Sequence, residues 1–218
     1  MAAEDYEIDV RPEIMLMEQV LEPLMSGALR IPKFQRPFVW RPEQMLDLFD
    51  SIERGYPIGS LLIWETYEPL ASLDRIGDLE VPEARPGLPV SYVLDGHQRL
   101  STLFATLRRP ADAPRSAEQR NWMWSPYRVL GDADEGVNRY RHWKSSNPPP
   151  ANYLPVRSVL RTRDFLSYAR DLARDASPEM DVDRLTSEGE VVAQRIKSYK
   201  LPVVRLVGGG LGDAVEVF

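Results

Sequence analysis

A chain of 218 residues with 43% hydrophobic composition can build one substantial core, or a core with a small appendage. The net charge of −6 and pI near 5.1 leave only a local basic patch for nucleic acid, because domains that bind it are often basic overall. The absence of Cys excludes disulfides, thiol catalysis and thiolate metal sites, two His are too few for a His-rich zinc site, and no apolar run reaches the ~18 residues of a membrane span.

Residues 1–10 are acidic and polar and read as a flexible tail, with no secretion signal. The expected compartment is therefore the cytoplasm. From Pro12 the spacing of Ile14, Met17, Leu21 and Leu24 predicts a helix that Gly27 stops. A short extended run follows over Leu29-Arg30-Ile31. The prolines then keep residues 32–40 out of a helix interior. A second helix is predicted from Pro42 to Arg54, with Met45, Leu46, Phe49 and Ile52 as its apolar stripe and Gly55 beyond its end.

Residues 60–65 read as a buried strand and 66–89 as a loop. Val90–Leu94 is a second strand that runs straight into Asp95-Gly96-His97-Gln98-Arg99. The helix after it carries Leu100, Leu103, Phe104 and Leu107 on one face, and Pro110 ends it. Residues 110–120 read as a loop. Trp122–Leu130 and Val137–Trp143 predict a hairpin around Gly131–Gly136, whose acids Asp132, Asp134 and Glu135 favour a turn. After a linker at 146–150, helices are predicted near 158–175 and 181–200, then a strand over Leu201–Val207 and a turn at Gly208-Gly209-Gly210. A last strand is predicted over Ala214–Phe218. It stops inside an apolar run, so the chain is expected to be a fragment of a longer protein.

The junction after Leu94 admits two readings. In the first, Gly96 lets the backbone approach a ligand, and the first amides of the helix lack intrahelical partners and attract an anion. Arg99 can then grip a phosphate, Asp95 can hold a metal, and His97 can orient water or donate to a phosphoryl oxygen. In the second, Asp95 merely caps a helix and Arg99 forms a surface ion pair.

Residues 30–41 offer another patch. Arg30, Lys33, Arg36 and Arg41 lie there without an acid, interleaved with Phe34, Phe38 and Trp40. Such a stretch suits phosphates or base stacking, or else a set of core aromatics with solvated cations. Arg161, Arg163, Arg170, Arg174 and Arg184 are mixed with acids and read as a solvated helical face. His142 reads as structural. Ser101 and Thr102 lack a nearby basic His, and Gly208-Gly209-Gly210 lacks the Lys-Ser/Thr of a P-loop.

Three blocks carry a resemblance. They are Ile31–Trp40, Ser51–Ser60 and Val93–Leu103, ordered within residues 12–107. Together they resemble the N-terminal domain of the GmrSD-type restriction endonuclease family, and residues 110–218 carry a looser likeness. The resemblance implies an α+β core similar to the ParB/sulfiredoxin fold, a small mixed sheet flanked by helices. Residues 11–110 would form that core, and 111–218 a hairpin and helical extension completing it. It implies nucleoside triphosphate hydrolysis with Mg²⁺ or another divalent metal, in bacterial defence against modified or foreign DNA. The family signature is Asp-Gly-Gln-Gln-Arg, which Asp95, Gly96, Gln98 and Arg99 fit, while His97 stands in place of the first Gln. The family's Phe-x-Arg-x-Asn-like segment would begin at Phe218. Many relatives carry a C-terminal HNH nuclease domain, and nothing in these residues resembles one, so such a domain or a separate nuclease subunit is an expected partner.

The expected function is thus a nucleotide-binding, NTPase-type domain of a restriction system. Asp95, His97 and Arg99 are its candidate catalytic residues, and Asp95 its candidate metal ligand. Gly96, Gln98, Arg99, Gln35 and Arg36 are expected around the phosphates. Arg30, Lys33, Arg36 and Arg41 are the candidate DNA contacts. The alternatives are a non-enzymatic DNA-binding or modification-sensing module, and a nuclease using Asp95.

Overall fold

The computed structural model describes residues 8–113, 121–132, 136–145 and 147–217. In chain order the first elements are β1 (Asp9–Leu16), α1 (Met17–Met25), β2 (Leu29–Arg30), α2 (Pro42–Glu53) and β3 (Leu61–Thr66). Next come β4 (Arg75–Ile76), β5 (Leu79–Glu80), β6 (Val90–Asp95) and α3 (His97–Leu107). The remainder holds β7 (Pro126–Val129), β8 (Tyr140–His142), β9 (Tyr153–Pro155), α4 (Thr162–Asp175), α5 (Val182–Lys197), β10 (Lys200–Val207) and α6 (Leu211–Val217). The α+β class with a small mixed sheet and flanking helices is as expected. The chain forms two compact units, one of Met1–Val39, Gly59–Ser101 and Lys200–Phe218, the other of Trp40–Ile58 and Thr102–Tyr199.

The first unit is built on a five-stranded sheet in the order β1-β10-β3-β6-β2. β1 is antiparallel to β10, β10 parallel to β3, β3 antiparallel to β6, and β6 parallel to β2. α1 lies against β1 and β2 and buries Met17, Val20, Leu21 and Leu24. On the sheet, Trp64, Val90, Tyr92, Leu94 and Leu206 form a core with Ala214 of α6. β3 and β6 slip register between Leu62 and Ile63, which pair with Asp95 and Val93. Leu94 is therefore the extra residue of a bulge, a device that re-aims the end of a strand.

Two predicted elements are corrected here. The helix expected from Pro12 begins only at Met17, and residues 9–16 are strand. All eight residues of β1 pair with β10, from Asp9↔Val207 to Leu16↔Lys200. Local periodicity does not register a partner so distant in the chain. Pro12 is tolerated because β1 is the outermost strand, where a missing N–H need not break a ladder. Ile14, counted in the apolar helical face, is 69% exposed instead. At the other end, the strand expected from Ala214 is the helix α6. Its first turn is closed by the Asp213 carboxylate accepting from the Gly210 amide at 2.8 Å, and its buried Ala214 enters the core. Residues 1–7 of the expected tail, loop residues 114–120, the turn acids Asp134 and Glu135, linker residue Ser146, and Phe218 lie outside the described residues.

The second unit contains a three-stranded antiparallel sheet, β8-β7-β9. The predicted hairpin is present as β7 and β8, shortened because residues 121–124 form a 3₁₀ turn. β9, and the small β4–β5 hairpin of the first unit, carried no period long enough to be read. α2 lies against β8 and α5, with Phe49 stacked on Tyr140 at 5.9 Å between centroids. Arg128, 3% exposed, forks onto Glu53 with Nε to Oε2 at 2.9 Å and Nη2 to Oε1 at 2.8 Å. Its Nη1 donates to Glu188 at 2.8 Å, and Arg139 donates to the same oxygen at 2.9 Å. The helical cations are solvent-facing as expected, Arg174 pairing with Asp171 and Asp175 and Arg184 with Asp132. His142 is tied to the start of α2, its Nε2 donating to the Pro42 carbonyl at 3.1 Å. Burial holds that imidazole below its ordinary pKa, against the raising effect of the Pro42 bond.

Candidate functional site

The junction between β6 and α3 lies in the first unit. Asp95 closes β6 with its side chain 57% exposed, and the Leu100 amide bonds to the Gly96 carbonyl at 3.0 Å to start the helix. Gly96 has φ +88°, and a Cβ there would stand 2.5 Å from Leu61 Cδ2 and 3.0 Å from Arg99 Nη2. No larger residue fits this turn without strain or displacement.

Arg99 turns back along the helix start, with its side chain 17% exposed. Its Nη2 donates to the Ser60 carbonyl at 2.8 Å and lies 3.5 Å from Asp95 Oδ2. Its guanidinium covers Gly59, whose φ is +83° and whose Cβ would fall 2.2 Å from Nη1. Two left-handed glycines, from the approach to β3 and the exit of β6, thus clear one seat for one guanidinium. Gly59 and Ser60 end the second of the three blocks, and neither is among the site residues expected from sequence. The signal was a glycine just before a buried strand, which by itself also fits an ordinary turn.

The two glutamines do not face an open site. Gln98 is 5% exposed, and its Oε1 accepts from the Val39 amide at 2.9 Å while its Nε2 donates to the Pro37 carbonyl at 3.0 Å. Gln35 Nε2 donates to the Leu94 carbonyl at 2.7 Å and the Val93 carbonyl at 3.3 Å. It thereby satisfies the bulged end of β6. Both side chains stitch the 35–39 loop to the junction.

His97 is the first residue of α3 and 6% exposed. Burial lowers its pKa, the Arg36 charge lowers it further, and Asp95 works the other way. Arg36 itself is exposed, as are Lys33 and Phe34. The structure therefore brings Asp95, Gly96, His97 and Arg99 together at the junction, with Arg36 on the loop that Gln35 and Gln98 tie to it.

Arg30 does not belong with the exposed cations. It is 6% exposed, and its guanidinium donates to Ser72 Oγ and to the carbonyls of Pro82 and Leu73. It is a buried strut for the loop that follows β3. Arg41 is exposed at the start of α2, in the second unit.

The donor set around Asp95 is spare for a metal. Among the described residues, no three His, Asp or Glu side chains are placed to hold one. A single exposed carboxylate suits Mg²⁺ only when phosphate oxygens and water complete its shell. No helix among the described residues is long and apolar enough to cross a membrane.

The chain is similar to the uncharacterized protein MJ0686 of Methanocaldococcus jannaschii, with 33% identity over 89 residues. That stretch is 39% of this chain and 15% of the relative, so the chain spans much less than two thirds of that protein. The family match is broader, covering residues 18–190 and therefore the junction, both glutamines and the seat of Arg99. The chain belongs to the GmrSD restriction endonuclease, N-terminal domain family.

Proposed function

We propose that the Asp95–Arg99 junction binds the phosphates of a nucleoside triphosphate, and that the domain hydrolyses it in the service of a DNA-restriction system. The observation that supports this most is the seat of Arg99. Two glycines that admit no Cβ leave the guanidinium beside the first turn of α3, a place where amides and the helix dipole favour an anion. A fork of N–H donors there matches phosphoryl oxygens. Arg36 adds a second cation from the loop.

Mg²⁺ fits as an ion carried by the nucleotide, with Asp95 as the protein carboxylate that reaches it. Bound there, it would neutralise phosphate charge. Asp95 is exposed and 3.5 Å from Arg99, so its carboxylate can turn toward a ligand held beside the guanidinium. The test is equilibrium binding and phosphate release with ATP, GTP, CTP and UTP, each with and without Mg²⁺. Saturable binding with turnover of at least one nucleotide is expected. No binding and no turnover in the longest natural chain containing this domain sinks the proposal.

A second reading concerns DNA. Phe34 is 55% exposed between the exposed cations Lys33 and Arg36. This arrangement suits backbone contacts with one aromatic free to stack. Arg41 is a further candidate contact, whereas Arg30 is too buried to serve. DNA affinity should fall steeply with salt, and Arg36→Ala should reduce the slope of log affinity against log salt by about 1. Binding that ignores salt, or a slope unchanged in that variant, removes this reading.

A further inference from the structure

We infer that Gln98 is a positioning residue, which holds Arg36 and the imidazole of His97 together so that both donate to one phosphoryl group. The inference rests on the phosphate reading of the junction and assigns Gln98 a different part in it from that of a ligand.

The argument begins with the amide. Oε1 receives the Val39 N–H at 2.9 Å, and Nε2 donates to the Pro37 carbonyl at 3.0 Å. A flipped amide would set donor against donor and acceptor against acceptor, so its orientation is determined. The same Nε2 lies 3.1 Å from His97 Nε2. A group that can only donate faces that ring nitrogen, so the ring nitrogen accepts and the proton resides on Nδ1.

The Nδ1–H of His97 has no acceptor among the described residues, although the residue is 6% exposed. It is a donor without a partner among the described residues, at the first position of a helix. Arg36 is held from both sides. Gln35 before it is bound to the end of β6, and Pro37 after it is bound to Gln98. Its charge acts on His97. A tetrahedral oxyanion accepts from several directions and can take both donors. Neutral imidazole, with one donor and one acceptor, can also do what an amide does at this position.

Two measurements test the latch. The first is ¹⁵N NMR of the imidazoles in the wild-type chain, which has two His. His97 should be protonated on Nδ1. His142, which donates from Nε2 to Pro42, should be the opposite tautomer and serves as the internal control. In Gln98→Glu the carboxylate can only accept, so the His97 proton should move to Nε2. A wild-type His97 protonated on Nε2, or a tautomer that ignores Gln98→Glu, overturns the inference.

The second is a double-mutant cycle read by calorimetric titration with tripolyphosphate. Gln98→Ala and Arg36→Ala should each weaken binding roughly tenfold, the scale of one charge-assisted hydrogen bond. The double variant should be no more than about twofold weaker than Arg36→Ala, because Gln98 acts largely through Arg36. Fully additive losses would make Gln98 a direct ligand and overturn the inference. If wild-type protein binds no tripolyphosphate, the phosphate reading itself falls. The tautomers then still report whether Gln98 orients His97.

Discussion

Replacing Arg128 with Met should lower stability by about 3–5 kcal/mol, the cost of breaking a buried ion pair by removing one partner. Arg128 is almost wholly enclosed and bonded to both Glu53 and Glu188. Its loss leaves two carboxylates in a site built for their counter-ion. Glu188 would retain Arg139 and the Gly131 amide, so Glu53 bears most of the penalty. Urea denaturation monitored by Trp fluorescence measures the effect. A change below about 1 kcal/mol would show that water reaches the network and screens it. Replacing Arg128 with Met, Glu53 with Leu and Glu188 with Gln together should recover much of the loss, because no buried carboxylate is left without its counter-ion and Arg139, which loses Glu188, is partly exposed.

The same network sets a pH dependence. Burial would raise the Glu53 pKa, but the hydrogen bonds and charge of Arg128 outweigh it and hold the group below its ordinary value. A carboxyl whose folded pKa is depressed contributes stability above its unfolded pKa, and loses it as pH falls through the folded one. The gap between wild type and Arg128→Met should therefore be largest at neutral pH and above, begin to shrink above the ordinary carboxylate range as Glu53 of the variant, buried without its counter-ion, takes up a proton, and go on shrinking as pH falls through the depressed wild-type pKa. A gap that widens on acidification would contradict the assignment.

Arg99→Ala should remove about 3–4 kcal/mol of transition-state stabilisation if the junction hydrolyses nucleotides, the scale of one preorganised donor to a developing charge. Arg99 also holds the Ser60 carbonyl, so stability should be measured alongside. Gly59→Ala separates the two effects. Its Cβ would enter the space of Arg99 Nη1, the mobile end of a side chain, and its φ of +83° costs about 1–2 kcal/mol for a residue with a Cβ. The protein should stay folded while its phosphate affinity drops ~10-fold or more, as the guanidinium is pushed from its seat. Unchanged affinity in both variants would mean that Arg99 is only a brace between β3 and α3.

Much of this protein could be read locally. The stripes of α2 and α3 and the run of β6 are periodic over enough residues to declare their type, and the glycine turn at 96 lies between the latter two. For that reason the Asp95–Arg99 junction was found from sequence at its correct place. The charged faces of α4 and α5 were equally legible, since solvated cations need only nearby acids.

What escaped the sequence depended on distant partners. β1 is a strand because β10 pairs with it, and α6 is a helix because Ala214 is drawn into the sheet core. Arg30 and Arg36 look alike in a basic stretch. Only the folded chain buries one beneath the Ser72–Pro82 loop and leaves the other in solvent. Gln35 and Gln98 are expected beside the phosphates from their place in the junction and in the loop facing it, and the sequence does not show what their amides bond to in the folded chain. In the folded chain their N–H groups meet the carbonyls of Leu94 and Pro37. By itself the sequence determined the elements and the residue types at the junction, because backbone propensity and side-chain chemistry act at short range. Tertiary structure decided which of those side chains are occupied with the protein's own backbone and which stay open to solvent. That follows from burial, which requires each polar group removed from water to find a partner wherever the fold supplies one.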